Sequence, residues 1–212
     1  MVEDEVAAMA SHSRIPGALG LIAALILSSC INLSLPPIGK AGKYRVARSS
    51  LIKPGGRGLN EAIPLLEELA QRDPFYEDTL TLLGRAYYQQ KRFSEALQIF
   101  QRAVVVNKED EVGWLVLGMT QLQLGDDQKG LESFKGGLTL LNKVARHGYR
   151  GYYTYDRNGL VQSSIRRAIF SVNKDGLEKK NALIQSGEII LRRLDDEELF
   201  QRGDKAIEDR ID

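Results

Sequence analysis

Apolar residues recur at three- and four-residue intervals through the middle of the chain. Leu80, Leu83 and Tyr87 form one such series, and Ala96, Ile99, Phe100 and Ala103 form the next. This spacing gives a helix a single apolar stripe, so each series predicts an amphipathic helix. The polar segments "QKRFS" and "LGDDQ" separate successive helices at the short lengths that antiparallel pairs use. The pattern then returns at a shift of 34 residues: Leu80 falls on Trp114, Leu83 on Leu117, Gly84 on Gly118, Ala96 on Gly130, Leu97 on Leu131, Phe100 on Phe134 and Ala103 on Gly137. A partial copy lies upstream in "LNEAIPLLEELAQRDP", with Ala62 one period before Ala96, Leu66 before Phe100, and Pro74 closing the segment.

A fixed period of this length marks a repeat architecture. The period and residue pattern resemble the tetratricopeptide repeat, and the resemblance covers about Leu59 to Leu141. It implies an all-α fold of antiparallel helical hairpins, about two and a half repeats in a short right-handed solenoid closed by carboxy-terminal capping helices. Small residues at Gly84, Ala96, Gly118 and Gly130 let paired helices approach, while Phe100 and Phe134 fill the space between neighbours. Two departures stand out. Gln121 occupies a position where the pattern wants tyrosine, and glycines 130, 136 and 137 weaken their helix by nearly 1 kcal/mol each relative to alanine. The upstream unit has no recognisable first helix unless "YRVARSSL" supplies a degenerate one.

Helix "VGWLVLGMTQLQL" has a hairpin face at Trp114, Leu117 and Gly118 and a second apolar face at Val112, Leu115, Met119 and Leu122, on the side that lines the concave groove in tetratricopeptide arrays. A helix apolar on two faces is buried on two faces. Either the carboxy-terminal helices fold back into the groove, the favoured reading, or a partner's amphipathic segment occupies it. The candidate groove residues are Thr81, Arg85, Tyr88 and Gln89 in the first full repeat and Leu115, Met119, Leu122 and Gln123 in the second. Beyond Leu141 the period is lost. "ARHGYRGYYTYDRNG" reads as an extended or hairpin-like excursion turning at Asp156 to Gly159, followed by helices at "LVQSSIRRAIFSV" and "LEKKNALIQSGEIILRRL" and a short last helix. The run Asp195 to Glu198 reads as the acidic start of that last helix.

Ahead of the repeats, "ALGLIAALIL" (Ala18 to Leu27) is uncharged and about ten residues long, short for a span needing roughly twenty and right for a signal-peptide core. Arg14 precedes it, and "LSSC" (Leu27 to Cys30) follows. That order resembles the lipobox of bacterial lipoproteins, which implies cleavage before Cys30 and acylation of its thiol. An uncleaved anchor over about Ile15 to Leu35 and a buried core helix are the alternatives. The acidic "MVEDEV" is unusual before such a core, and a start at Met9 would remove it. Residues 31–60 hold no acidic side chain and six basic ones, with Pro36-Pro37 and Pro54-Gly55-Gly56 marking a linker that contains at most one short helix, "KYRVARSSL". The expected organisation is a cleaved signal peptide over 1–29, a basic linker over 30–58, repeats over 59–145, and an aromatic loop with terminal helices over 146–212.

Charge and chemistry narrow the function. The chain carries 29 Lys and Arg against 28 Asp and Glu, so no global basic field draws it to nucleic acid. One cysteine and two histidines give neither a disulfide nor a zinc cluster. No phosphate loop, hydrolytic triad or HExxH motif is present, and no cofactor, metal or small-molecule substrate is expected. The expectation is a non-enzymatic, membrane-anchored lipoprotein facing the periplasm, in the inner or outer membrane, whose array binds a protein or peptide of the cell envelope. The competing class is a periplasmic enzyme or enzyme accessory using the tyrosine-rich loop, which requires His147, Arg150 and a carboxylate such as Asp156 to converge on one pocket.

Overall fold

The computed structural model describes residues 39–53, 56–147 and 156–208. Among them the secondary structure is helical: α1 (Gly39–Leu51), α2 (Leu59–Arg72), α3 (Thr79–Gln89), α4 (Phe93–Val106), α5 (Glu111–Leu124), α6 (Asp127–His147), α7 (Leu160–Lys174), a 3-10 turn (Gly176–Lys179) and α8 (Lys180–Glu208). Helices α1 to α6 form three antiparallel hairpins stacked in chain order, α7 packs on α6, and α8 packs on α7 and α5. Among the described helices none is long and apolar enough to cross a membrane.

The one short helix allowed within the linker of residues 30–58 is present: Gly39–Leu51 is helix and packs on α2 as the first hairpin. "YRVARSSL" does supply the missing first helix. Its apolar content is low, which hides it from a periodicity search; a thin buried stripe is supplemented by ion pairs to α2. Lys40 Nζ lies 2.8 Å from Asp73 and Lys43 Nζ 2.5 Å from Glu68, both on α2, while Ala47 and Leu51 supply the buried stripe.

Close approach is built into the later hairpins by glycine. A Cβ on Gly118 would strike the backbone of Phe134 and Gly130 on α6, and one on Gly137 would strike the backbone of Leu115. One on Gly84 would meet first the Phe100 ring, 2.7 Å away at Cζ. The α6 glycines are therefore not uniformly a weakness. Gly130 and Gly137 permit the α5–α6 contact, whereas Gly136 faces open space and supplies nothing but backbone freedom. The core runs continuously through the array, with Phe100, Phe134, Leu66, Leu115 and Met119 all fully buried.

The turn between helices shows the repeat in backbone detail. Gly125, after α5, is left-handed with φ 87°, and the Asp126 amide closes back on the Gln121 carbonyl at 3.0 Å, a Schellman closure. One period earlier, Lys91 takes the same left-handed role at φ 61°, and Arg92 N reaches Tyr87 O at 2.9 Å. The carboxy-terminal region differs from the expected division. α6 continues to His147, and the two last helices expected separately are one helix, α8. The turn at Asp156 is present, with Gly159 N donating to Asp156 O at 2.9 Å; residues 148–155 of the aromatic excursion lie outside the described residues.

Three outcomes follow for thermal unfolding. Gly136→Ala raises stability by about 1 kcal/mol through helix propensity, whereas Gly118→Ala lowers it by about 2 kcal/mol or more through overpacking. Lys91→Gly, relieving a left-handed lysine, raises stability by roughly 0.5–1 kcal/mol, and an unchanged melting temperature would show that the turn is not strained.

Candidate functional site

The face formed by the first helices of the hairpins, α1, α3 and α5, is the surface on which the sequence-derived groove residues fall. α8 lies across it. Lys180 Nζ at its start sits 2.9 Å from Asp127 of α6, Gly187 meets Met119 of α5 and Phe134, Glu188 lies 3.4 Å from the Tyr88 hydroxyl of α3, Asp195 pairs with Arg85 of α3, and Glu198 pairs with Arg48 of α1. The helix thus crosses the hairpins in reverse order.

Its sequence suits each part of that path. Leu183, Ile184, Gly187, Ile190 and Leu194 are buried at three- and four-residue spacing. Glycine at 187 lets the backbone come down on Met119, where a Cβ would stand 2.5 Å from Sδ. Past Leu194 the same side turns acidic, and there the face beneath turns cationic. Arg85 Nη2 donates to both oxygens of Asp195 at 2.7 and 2.8 Å. Arg48 donates from Nε and Nη2 to Glu198 at 2.6 and 2.8 Å, and from Nη1 to both oxygens of Asp78 at 3.0 and 3.1 Å. Nη1 also donates to the Tyr44 hydroxyl at 2.6 Å, and that hydroxyl donates to Asp78. Burial pushes the Tyr44 hydroxyl well above its ordinary range, and the Asp78 charge adds to the shift.

These contacts overturn the reading of Asp195 to Glu198 as a helix start. The run lies in the interior of α8, and its carboxylates neutralise arginines on the array. Arg85 and Arg48 are 7% and 8% exposed, a burial that a guanidinium accepts only with charge-assisted partners.

Of the eight candidate groove residues, Thr81, Arg85, Tyr88, Leu115, Met119 and Leu122 are buried, and Gln89 and Gln123 are exposed. Among the described residues, α8 covers the face on which these six side chains lie, the arrangement the self-capped reading expects. Thr81 donates to Asp110, the N-cap of α5, whose other oxygen accepts from Gly113 N at 2.8 Å. Burial raises the Asp110 carboxyl to about 6, against the lowering from those two hydrogen bonds. Tyr88 stacks edge-on with Phe93 at 5.4 Å, and burial pushes its hydroxyl upward. Leu115 and Leu122 are buried with Gly137 and Gly130 of α6 against them. Arg48 escaped the sequence reading, since nothing local marks a lone arginine in a basic stretch as buried.

The convergence required by the enzyme alternative has one describable member. Both Asp156 oxygens accept backbone N–H groups at the start of α7, from Val161 at 2.7 Å and Gln162 at 2.8 Å, so that carboxylate is committed to capping. The His147 side chain and Arg150 lie outside the described residues, as does Cys30. No group of three or more His, Cys, Asp or Glu suited to a metal ion occurs among the described residues.

A double-mutant cycle on Arg85 and Asp195 isolates the array-to-α8 pairing. Each of Arg85→Met and Asp195→Leu alone removes one side of this largely buried pair and costs about 3 kcal/mol, while the double variant loses much less than the sum, giving a coupling of about 2 kcal/mol or more. Additive losses would contradict the pairing. For Asp110 the sign follows from its raised folded-state value: the contribution is full below the unfolded value near 3.9, and it is lost as pH rises through about 6. The stability of the wild type relative to Asp110→Asn, from urea unfolding, therefore rises by about 2 kcal/mol on acidification from pH 7.5 to 4.

A family model described as tetratricopeptide repeat matches residues 59–119. A search of curated proteins gives no match to the chain. The matched segment spans α2 to α4 and the first part of α5, so this stretch of the array is similar to tetratricopeptide repeats.

Proposed function

We propose that this protein is a lipid-anchored scaffold or assembly factor of the bacterial cell envelope, one that works by binding other proteins and carries out no reaction of its own. Tetratricopeptide repeats mediate protein–protein interactions, and the observation that carries the reading is the repeat array itself. The anchor rests on the apolar run and the "LSSC" sequence at Cys30.

Occupation of the inner face by α8 moves the expected contact surface outward. On α4, Val105 is 75% exposed and Val106 is 39% exposed, beside a shallow cavity of about 410 Å³ that also takes in Pro74, Leu80 and Arg102. An outer ridge of this kind is free to receive a partner without unseating α8.

Mass spectrometry of the protein expressed in a Gram-negative bacterium is expected to find an acyl mass on Cys30 and loss of the preceding residues, with Cys30→Ala abolishing both. An unprocessed, unmodified wild-type chain would remove the lipoprotein part of the proposal. For the scaffold part, a photo-crosslinking residue at Val105 is expected to form defined protein adducts in cells, while one at buried Leu115 forms none. Adducts from Leu115 alone would return the partner to the inner face.

A further inference from the structure

We infer that the corner formed by α6 and α7 is a binding site for the phosphate-bearing headgroups of anionic membrane lipid. The whole chain is nearly neutral, yet its charge is unevenly placed. Among the described residues from 142 to 174, Arg146, Arg157, Arg166, Arg167 and Lys174 are basic, as is Lys143, which pairs with Glu109 at 3.6 Å, and only Asp156 is acidic. That aspartate is occupied in capping α7. Helix α7 itself has no acidic residue.

Within this region, Asn142 and Arg146 of α6 and Gln162, Arg166 and Ile169 of α7 line a cavity of about 290 Å³. Neither arginine pairs with a carboxylate among the described residues, which separates them from Arg48 and Arg85. Two guanidinium forks from neighbouring helices, with side-chain amides beside them, suit a tetrahedral oxyanion. Gln162 Nε2 is held by the Ala145 carbonyl at 2.9 Å, which fixes one wall of the site.

The apolar residues decide between possible anions. Phe170 lies one helical turn from Arg166 and is 67% exposed, with Lys174 Nζ 5.8 Å from its ring centre, and Leu160 at the start of α7 is 41% exposed. A large exposed apolar side chain set among cations on one helix matches the boundary between headgroups and acyl chains. A nucleic acid needs a longer track of phosphate contacts than one helix of roughly 22 Å presents. The site is distinct from Cys30 and adds a second, electrostatic attachment to the same membrane.

The test is partition of the full chain into vesicles of phosphatidylcholine alone and of phosphatidylcholine with 30% phosphatidylglycerol, as an order-of-magnitude contrast of surface charge. Binding to the neutral vesicles measures the opening apolar segment, and the gain on adding phosphatidylglycerol measures this site. With each cation near such a surface contributing about 1 kcal/mol, Arg146→Gln with Arg166→Gln is expected to reduce that gain roughly 25-fold. Arg192→Gln with Arg193→Gln, on α8, removes the same charge elsewhere and is expected to change it less than twofold. The exposed pair Arg167→Gln with Lys174→Gln gives a second test that leaves the cavity intact, and it is also expected to lower the gain. Cys30→Ala leaves the gain unchanged, so failure of the acylation reading is distinguishable. The inference is overturned if phosphatidylglycerol adds nothing, if the α8 control loses as much, or if polyglutamate or a single-stranded oligonucleotide binds in its place with the same arginine dependence.

Discussion

A buried guanidinium is tolerable only where carboxylates meet it at hydrogen-bond range, and this protein buries two of them on one face. Arg48 and Arg85 stand on the first helices of the first two hairpins, and Asp195 and Glu198 answer them from α8. If α8 lifts away, both arginines lose a partner and Met119 loses its cover. The terminal helix is thus a structural member of the array rather than an appendage to it.

Two kinds of complementarity set its position. Over α5 the contact is apolar and close, with Gly187 on Met119. Over α3 and α1 it is ionic, and fixed in register by paired oxygens. The apolar part supplies most of the driving force, since burial of surface is favourable wherever it occurs. The ionic part supplies direction, because only one orientation of α8 brings the acidic side over the arginines. A short repeat array needs its exposed faces covered to be stable, and here the cover is internal.

The hairpins were legible in the sequence because their signal is local. Leu80, Leu83 and Tyr87, or Ala96 and Phe100, reveal a helix within a few residues, and the 34-residue period repeats it. Helix α1 was hidden for the opposite reason: its stripe is thin, and Lys40 and Lys43 hold it through residues on α2. The role of Asp195 and Glu198 was misread because their partners lie 110 and 150 residues away, and no local pattern links them. The second apolar face of α5 did announce that something covers it. The glycines of α6 show the finer limit, since only the neighbouring helix separates Gly137, which has none to spare, from Gly136.

Hydrogen exchange on amides 183–198 reports whether α8 opens with the array or apart from it. If α8 is an integral part of the array, these amides exchange as slowly as those of α3 and α5, and Asp195→Asn with Glu198→Gln speeds them selectively while the hairpins keep their protection. Fast exchange of α8 in the wild-type protein, with α3 and α5 protected, would contradict the account and leave the inner face open to a partner.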